Sequence, residues 1–322
     1  MNFLGVDIGG TKIALSIGNE KGEIIAGQRI PTDPDNAQAS LDSAAAVIPK
    51  LLESAGLKMD QIETIGITSP GPMSSKERMM FETPNMKGWT NFRIGDFFEK
   101  KFSRPTFMQN DANGAGIAEY LFGACRGLDL VYLTMSTGIG AGIMIDGKVL
   151  AGPNDLGGEV GHNTLDINGP LCGCGKRGCW EAYCGGRKFA EEIRNDIRAN
   201  KIQTSILDEA DGDLNRVSMK EICAAVRKGD AYAVKRWDVF IEKMAQAIGI
   251  ILQTLNPQAI VMGTIAIHDG DLFLPQMMKR LPDYAWKGAL DVCRIEASAL
   301  KNIGELAAIA VALDGYNHLR KG

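Results

Sequence analysis

A two-domain α/β fold is what this sequence predicts, and three observations carry the prediction. Short apolar runs of strand type alternate along the chain with segments of helical spacing. A strand–glycine turn–strand unit around Asp7-Ile8-Gly9-Gly10-Thr11-Lys12 is echoed at Ser136-Thr137-Gly138-Ile139-Gly140-Ala141-Gly142. The 322 residues are enough for two domains with a cleft between them. The echo suggests a pseudo-duplicated fold, one half per domain.

The elements follow in order. Residues 3–7 read as a buried strand entering the Gly9-Gly10 turn, and residues 13–17 and 23–28 continue the meander through a Lys21-Gly22 turn. Residues 40–54 have helical spacing in Leu41, Ala45, Ile48 and Leu52. Residues 64–68 form a strand that ends at the loop signal Ser69-Pro70-Gly71-Pro72. A helix is expected over 91–102, a strand over 106–109 and a small-residue helix over 112–121. Residues 131–135 and 143–145 flank the second glycine turn. Helices over 188–199, 219–228 and 232–255, a strand over 259–262 and a helix over 304–318 complete the prediction.

Composition narrows the function. The chain is 45% hydrophobic and 23% charged, with a net charge of -4. Acidic and basic residues are interleaved and no basic run occurs, which argues against a nucleic-acid partner. Asp7 falls where the apolar centre of a secretory signal would lie, and apolar runs such as 248–252 are too short to cross a bilayer. The seven cysteines are an odd count, and three of them cluster with a histidine. That pattern points to a reduced compartment, hence the cytoplasm, and to a metal in place of a disulfide framework.

The segment from His162 to Glu181 is the most informative. His162, Cys172, Cys174 and Cys179 supply one imidazole and three thiols in a glycine-rich stretch. Nitrogen and sulfur ligands in that number suit a tetrahedral Zn²⁺ site, closed and therefore structural. Cys184 is an alternative ligand of lower rank; Cys125, Cys223 and Cys293 read as packing residues. Glu159 and Glu181 flank the site, where they suit hydrogen bonds from vicinal hydroxyls; the alternative is plain surface charge. His162 can bind the metal through one ring nitrogen and donate to a hydroxyl from the other.

The two glycine turns suit phosphate. Glycine lets the backbone approach an anion and adopt positive φ, and Thr11, Ser136 and Thr137 add hydroxyls. Neither turn is a GxxxxGK[ST] loop or a dinucleotide fingerprint, and each taken alone is equally an ordinary β-turn. Asp7 is a candidate Mg²⁺ ligand through water. Asp111, at the end of a strand with a helix behind it, is placed as a general base for an attacking hydroxyl; the alternative is that it only caps the helix. Asn85, after Thr83-Pro84, suits hydroxyl contacts or an ordinary turn.

In order, Asp7-Ile8-Gly9-Gly10-Thr11-Lys12, Pro84-Asn85, Asn110-Asp111, Thr137-Gly138-Ile139-Gly140, Gly158-Glu159-Val160-Gly161-His162 and Cys172-Gly173-Cys174-Gly175-Lys176-Arg177-Gly178-Cys179-Trp180-Glu181 resemble the ROK family (repressors, open reading frames and kinases), in its glucokinase branch. The resemblance implies a two-domain actin-like ATPase (ribonuclease H-like) fold, with ATP in the interdomain cleft. It implies domains of 1–111 plus 302–322, completed by the C-terminal helix, and 112–301. The implied catalytic base is Asp111. The implied sugar contacts are Asn85, Asn110, Asp111, Glu159, His162 and Glu181, and the implied zinc ligands are His162, Cys172, Cys174 and Cys179. Nucleotide contacts fall on Asp7, Gly9, Gly10, Thr11, Lys12, Thr137, Gly138, Gly140 and Gly263. A hexose kinase using ATP and Mg²⁺, as a homodimer, is the expectation. Glucose at its 6-hydroxyl is the first substrate; N-acetylmannosamine, N-acetylglucosamine, fructose and allose, or a non-catalytic sugar sensor, are the alternatives. Family repressors carry a helix-turn-helix before the kinase-like part, and this sequence begins at the first strand, so a kinase is expected. One departure stands out: where the family has a glycine pair near adenosine, Gly263-Thr264 keeps only the first.

Overall fold

The computed structural model describes residues 1–81, 83 and 85–321. Along the chain run β1 (Asn2–Ile8), β2 (Lys12–Asn19), β3 (Ile24–Pro31), α1 (Ala37–Ser54), β4 (Ile62–Ser69), β5 (Met73–Ser74), β6 (Met79–Met80), α2 (Ile94–Phe102), β7 (Thr106–Asn110) and α3 (Asp111–Phe122). Then come β8 (Leu130–Met135), β9 (Ile139–Ile145), β10 (Lys148–Val149), α4 (Trp180–Cys184), α5 (Gly186–Asn200), α6 (Ser205–Glu209), α7 (Met219–Arg227) and α8 (Ala231–Leu255). The last elements are β11 (Ala259–Met262), α9 (Ile265–Arg280), α10 (Lys287–Val292), β12 (Arg294–Ala297) and α11 (Ile303–Lys321).

Contacts divide the chain into two compact units: residues 1–132, 142–158 and 299–322, and residues 133–141 and 159–298. The first unit is built on a sheet of order β3-β2-β1-β4-β7. Its meander β1–β2–β3 is antiparallel, whereas β1, β4 and β7 run parallel. Parallel neighbours need crossover helices, and α1 and α2 supply them. Leu41, Ile48, Phe98 and Trp89 join the strand residues Leu4, Val6, Leu15, Ile65 and Ile67 in one core. α11 packs against β1, β2, β4 and β7 and against α3. Its Ile309 and Ala312 are fully buried beside Phe3, and the Thr64 hydroxyl donates to Ala312 O at 2.7 Å.

α3 belongs to this first unit, whereas the sequence reading starts the second domain at residue 112. Gly114 lets α3 lie close on β4 and α11, where a Cβ would meet the side chains of Thr68, Ala307 and Val311, and α3 also touches β7 and β10. The helix expected over 91–102 begins only at Ile94, because Asn91 has φ +57° and a short 3-10 turn over Lys87–Trp89 precedes it.

The second sheet has the order β10-β9-β8-β11-β12. The second unit's core is formed by α8 residues Trp237, Phe240 and Ile248 with Phe189 of α5 and Phe273 of α9. Trp237 stacks on Phe240 at a centroid distance of 4.6 Å. Among the described residues no helix is long and apolar enough to cross a membrane.

Candidate functional site

In the first unit, register brings separated motifs to one sheet edge. Asp7 pairs with Thr68 across β1 and β4, Thr68 pairs with Gln109 across β4 and β7, and Asn110 closes β7. Asp7, Thr68 and Asn110 thus stand at the carboxyl ends of three adjacent parallel strands, the edge at which open α/β sheets bind ligands. Asp111 is the next residue and is exposed. Asn110, not Asp111, is the N-cap residue of α3: its Oδ1 accepts from Ala112 N at 2.8 Å and Asn113 N at 3.4 Å. The Asp111 carboxylate also accepts from Ala112 N at 2.8 Å, from the first position of the helix. Thr83 is buried and Asn85 is exposed in a turn of the same unit; Pro84 lies outside the described residues.

Asp7 is half-buried and accepts from the Thr68 hydroxyl at 2.9 Å, a partner that sequence reasoning missed. Burial raises its carboxyl above the ordinary value. The Thr68 bond and nearby Lys12 pull it back, while Glu305 adds to the rise. A carboxyl raised in the folded state lends most stability below its unfolded pKa and loses it as pH climbs through the folded value. Asp7→Asn therefore stabilises the ligand-free protein at pH 8 by about 0.5–2 kcal/mol, and the advantage shrinks toward pH 4. Denaturant midpoints at the two pH values check this. Gly9, Gly10, Thr11 and Lys12 form the β1–β2 turn, closed by Gly9 N–H to Lys12 O at 2.9 Å and braced by Thr32 Oγ1 to Gly9 O at 2.8 Å.

In the second unit the metal candidates converge. The donor atoms of His162, Cys172, Cys174 and Cys179 all lie within 4.8 Å of one another. Cys172 Sγ is 3.7 Å from His162 Nδ1, and Cys174 Sγ is 3.6 Å from Cys179 Sγ. Tetrahedral zinc, with bonds of about 2.3 Å to sulfur and 2.0 Å to nitrogen, needs ligand separations of about 3.6–3.8 Å. The four residues therefore fit a closed Zn²⁺ site. Gly175 (φ +85°) and Gly178 (φ +69°) take backbone shapes that side chains resist, and these let the loop fold back between Cys174 and Cys179. Burial holds the Cys172 thiol up and pushes Cys179 up to about 12, while the Lys176 backbone N–H holds Cys174 down. Cys184 is fully buried and its thiol donates to Phe240 O, so it belongs to the core. His162 Nε2 points to Glu159 Oε2 at 4.0 Å.

The second glycine turn differs from its expected form. Gly138 and Gly140, like Gly9 and Gly10, do not take positive φ. Gly138 is required for another reason: a Cβ there would lie 2.3 Å from Glu181 Oε2. Gly140 is part of β9, which begins at Ile139. The Ser136 N–H donates to Gly138 O at 3.0 Å and the Ile139 N–H to Glu181 Oε2 at 3.0 Å, which leaves the amides of Thr137 and Gly138 in the bend. Gly263, after β11, donates to Leu133 O at 2.8 Å. Its neighbour Thr264 sits at φ +48°, ψ -97°, a conformation that strains a β-branched residue. A cavity of about 440 Å³ opens beside it, lined by Met135, Ser136, Met219, Thr264, Ile265 and His268 among others. No local pattern signals this cavity, because its walls come from four separate stretches.

Comparison with known proteins supplies the family. The chain is 28% identical to the glucokinase of Thermotoga maritima over 314 residues, 97% of each chain. It is 30% identical to the N-acetylmannosamine kinase of Escherichia coli over 280 residues, 86% of this chain and 88% of that one. The crystal structure of a ROK family glucokinase from Streptomyces griseus, in complex with glucose and AMPPNP, superposes with a TM-score of 0.78 at 29% identity, covering both chains fully. The fold is the actin-like, two-domain sugar-kinase fold. The ROK family model matches residues 3–314, and the chain belongs to the ROK family.

Proposed function

We propose that this protein is an ATP-dependent sugar kinase that phosphorylates glucose at its 6-hydroxyl. Asp111 carries the reading. It stands exposed beyond β7 at the ligand-binding edge of the first sheet, while Asn110 takes the role of helix cap. A carboxylate there suits a general base that takes the proton of the attacking hydroxyl. The likeness to a glucokinase crystallised with glucose and AMPPNP supports both the sugar and the nucleotide.

In this reading Asn85, Asn110, Glu159, His162 and Glu181 accept and donate to the sugar hydroxyls. The turn at Gly9–Lys12 and the bend at Thr137–Gly138 receive the phosphates, and Asp7 holds Mg²⁺ through water. Phosphoryl transfer of this kind depends mostly on positioning and on offsetting charge. The cavity beside Gly263 and Thr264, with its Met135 and Met219 walls, suits the nucleoside. Zn²⁺, held by His162, Cys172, Cys174 and Cys179, stiffens the loop that carries Glu159 and Glu181. A cytoplasmic homodimer fits the remaining expectations.

A second reading keeps the chemistry and changes the sugar to N-acetylmannosamine, favoured by the 30% identity to that kinase. A coupled ADP-release assay over glucose, N-acetylmannosamine, N-acetylglucosamine, fructose and allose separates them. The expected kcat/KM for glucose is at least about tenfold above the others, a gap of 1.4 kcal/mol. ADP release with none of these sugars would remove the kinase reading.

A further inference from the structure

Glu181 reaches Ile139, 42 residues away in sequence, as well as its near neighbour Cys172. Its Oε2 accepts the Ile139 N–H at 3.0 Å, and its Oε1 is the acceptor for the Cys172 thiol at 3.9 Å. The fit is close, since a Cβ on Gly138 would fall 2.3 Å from Oε2. The backbone reinforces the same bend. Gly186 N–H donates to Ser136 O at 2.9 Å and Arg187 N–H to Thr137 O at 3.1 Å. On the other flank a Cβ on Gly161 would lie 2.2 Å from Ile139 O. Gly161 directly precedes His162, Glu181 follows Cys179 in the short helix α4, and Gly186 opens α5. The bend from Ser136 to Ile139 is therefore clasped by chain segments adjoining the metal ligands. The Glu181 bond is the clasp's one charge-assisted contact, roughly twice as strong as a neutral hydrogen bond.

We propose that Glu181 is a positioning residue for the nucleotide: it fixes the Ser136–Ile139 bend through the Ile139 amide and so sets nucleotide affinity, whatever it also does for the sugar. The inference rests on the reading of this bend as a phosphate cradle. A carboxylate that only met sugar hydroxyls would not need an oxygen committed to the hairpin backbone. The first turn has a different support, the Thr32 hydroxyl on Gly9 O, so the two cradles are braced independently.

The test is calorimetric binding of a non-hydrolysable ATP analogue with Mg²⁺, in sugar-free buffer, to the zinc-loaded wild type, E181A, E181Q and G138A. E181A is expected to weaken binding at least tenfold with its zinc content unchanged. E181Q keeps an oxygen that accepts the Ile139 N–H and is expected to stay within about threefold of wild type. G138A drives a methyl group into the same contact and should repeat the E181A loss while leaving the carboxylate in place. In steady state, E181A should raise the KM for ATP more than it lowers kcat. Analogue binding by E181A and G138A within twofold of wild type overturns the proposal, even if sugar affinity falls. A wild type that does not bind the analogue overturns the phosphate-cradle reading itself.

Discussion

Asp111→Asn lowers kcat by about 10²–10⁴-fold or more while glucose affinity changes by less than about threefold. The structure makes this substitution a clean probe. Asn110 supplies the cap of α3 through two backbone amides, so the helix start does not depend on residue 111. An asparagine there still offers an oxygen to Ala112 N, from which the Asp111 carboxylate accepts at 2.8 Å. Shape and local bonding persist, and what disappears is the capacity to take a proton. Melting temperature and glucose calorimetry should match wild type within error while turnover collapses. Near-wild-type turnover would remove Asp111 as the base.

The second large effect follows metal removal. A structural Zn²⁺ in a small domain contributes apparent binding free energies of about 10–16 kcal/mol at neutral pH. Here the loop has little apolar support. Most of its residues between Cys172 and Cys179 are exposed, and only Cys172, Cys179 and Ala182 form a small apolar cluster. A strong chelator, or Cys179→Ala, is therefore expected to lower the melting temperature by more than about 5 °C, a shift that ~2 kcal/mol produces in a chain of this size. Glucose affinity should fall at least tenfold, because His162 and the flanking glutamates lose their support. Burial keeps the Cys172 and Cys179 thiols protonated near neutrality in the metal-free loop. Loading must then displace protons, so metal affinity rises with pH and calorimetry in buffers of different ionisation enthalpy should report their release. Extraction of the metal with unchanged melting and sugar affinity would disprove the coupling.

Much of this architecture is legible because its signals are local. The four candidate zinc ligands fall within 18 residues, and three thiols with an imidazole at that spacing suggest the ion; the meander and α1 follow from period-2 and 3.6 patterns. α9 escaped notice for a physical reason. Gly270 and Pro275 interrupt its helical pattern, and Asp269 breaks its dihedrals at φ -128°, ψ 19°. β9 starts four residues before the strand read from sequence, because sheet pairing overrides the low strand preference of Gly140 and Gly142. The contact of Glu181 with Ile139 and that of Thr68 with Asp7 join residues 42 and 61 positions apart, and no local pattern encodes them. Which of the adjacent Asn110 and Asp111 is the cap of α3 is a matter of rotamers that spacing does not fix.

α11 has a consequence for how the chain is made. The Thr64 hydroxyl and its acceptor at Ala312 are 248 residues apart. At 5–20 residues per second a ribosome needs roughly 10–50 s to travel that distance. Throughout that interval Phe3 and its neighbours lack the helix that covers them, and the earliest strands leave the exit tunnel with one face open. The first unit must finish folding after nearly all of the second has emerged, so nascent chains stalled before residue 303 should be held by chaperones or aggregate.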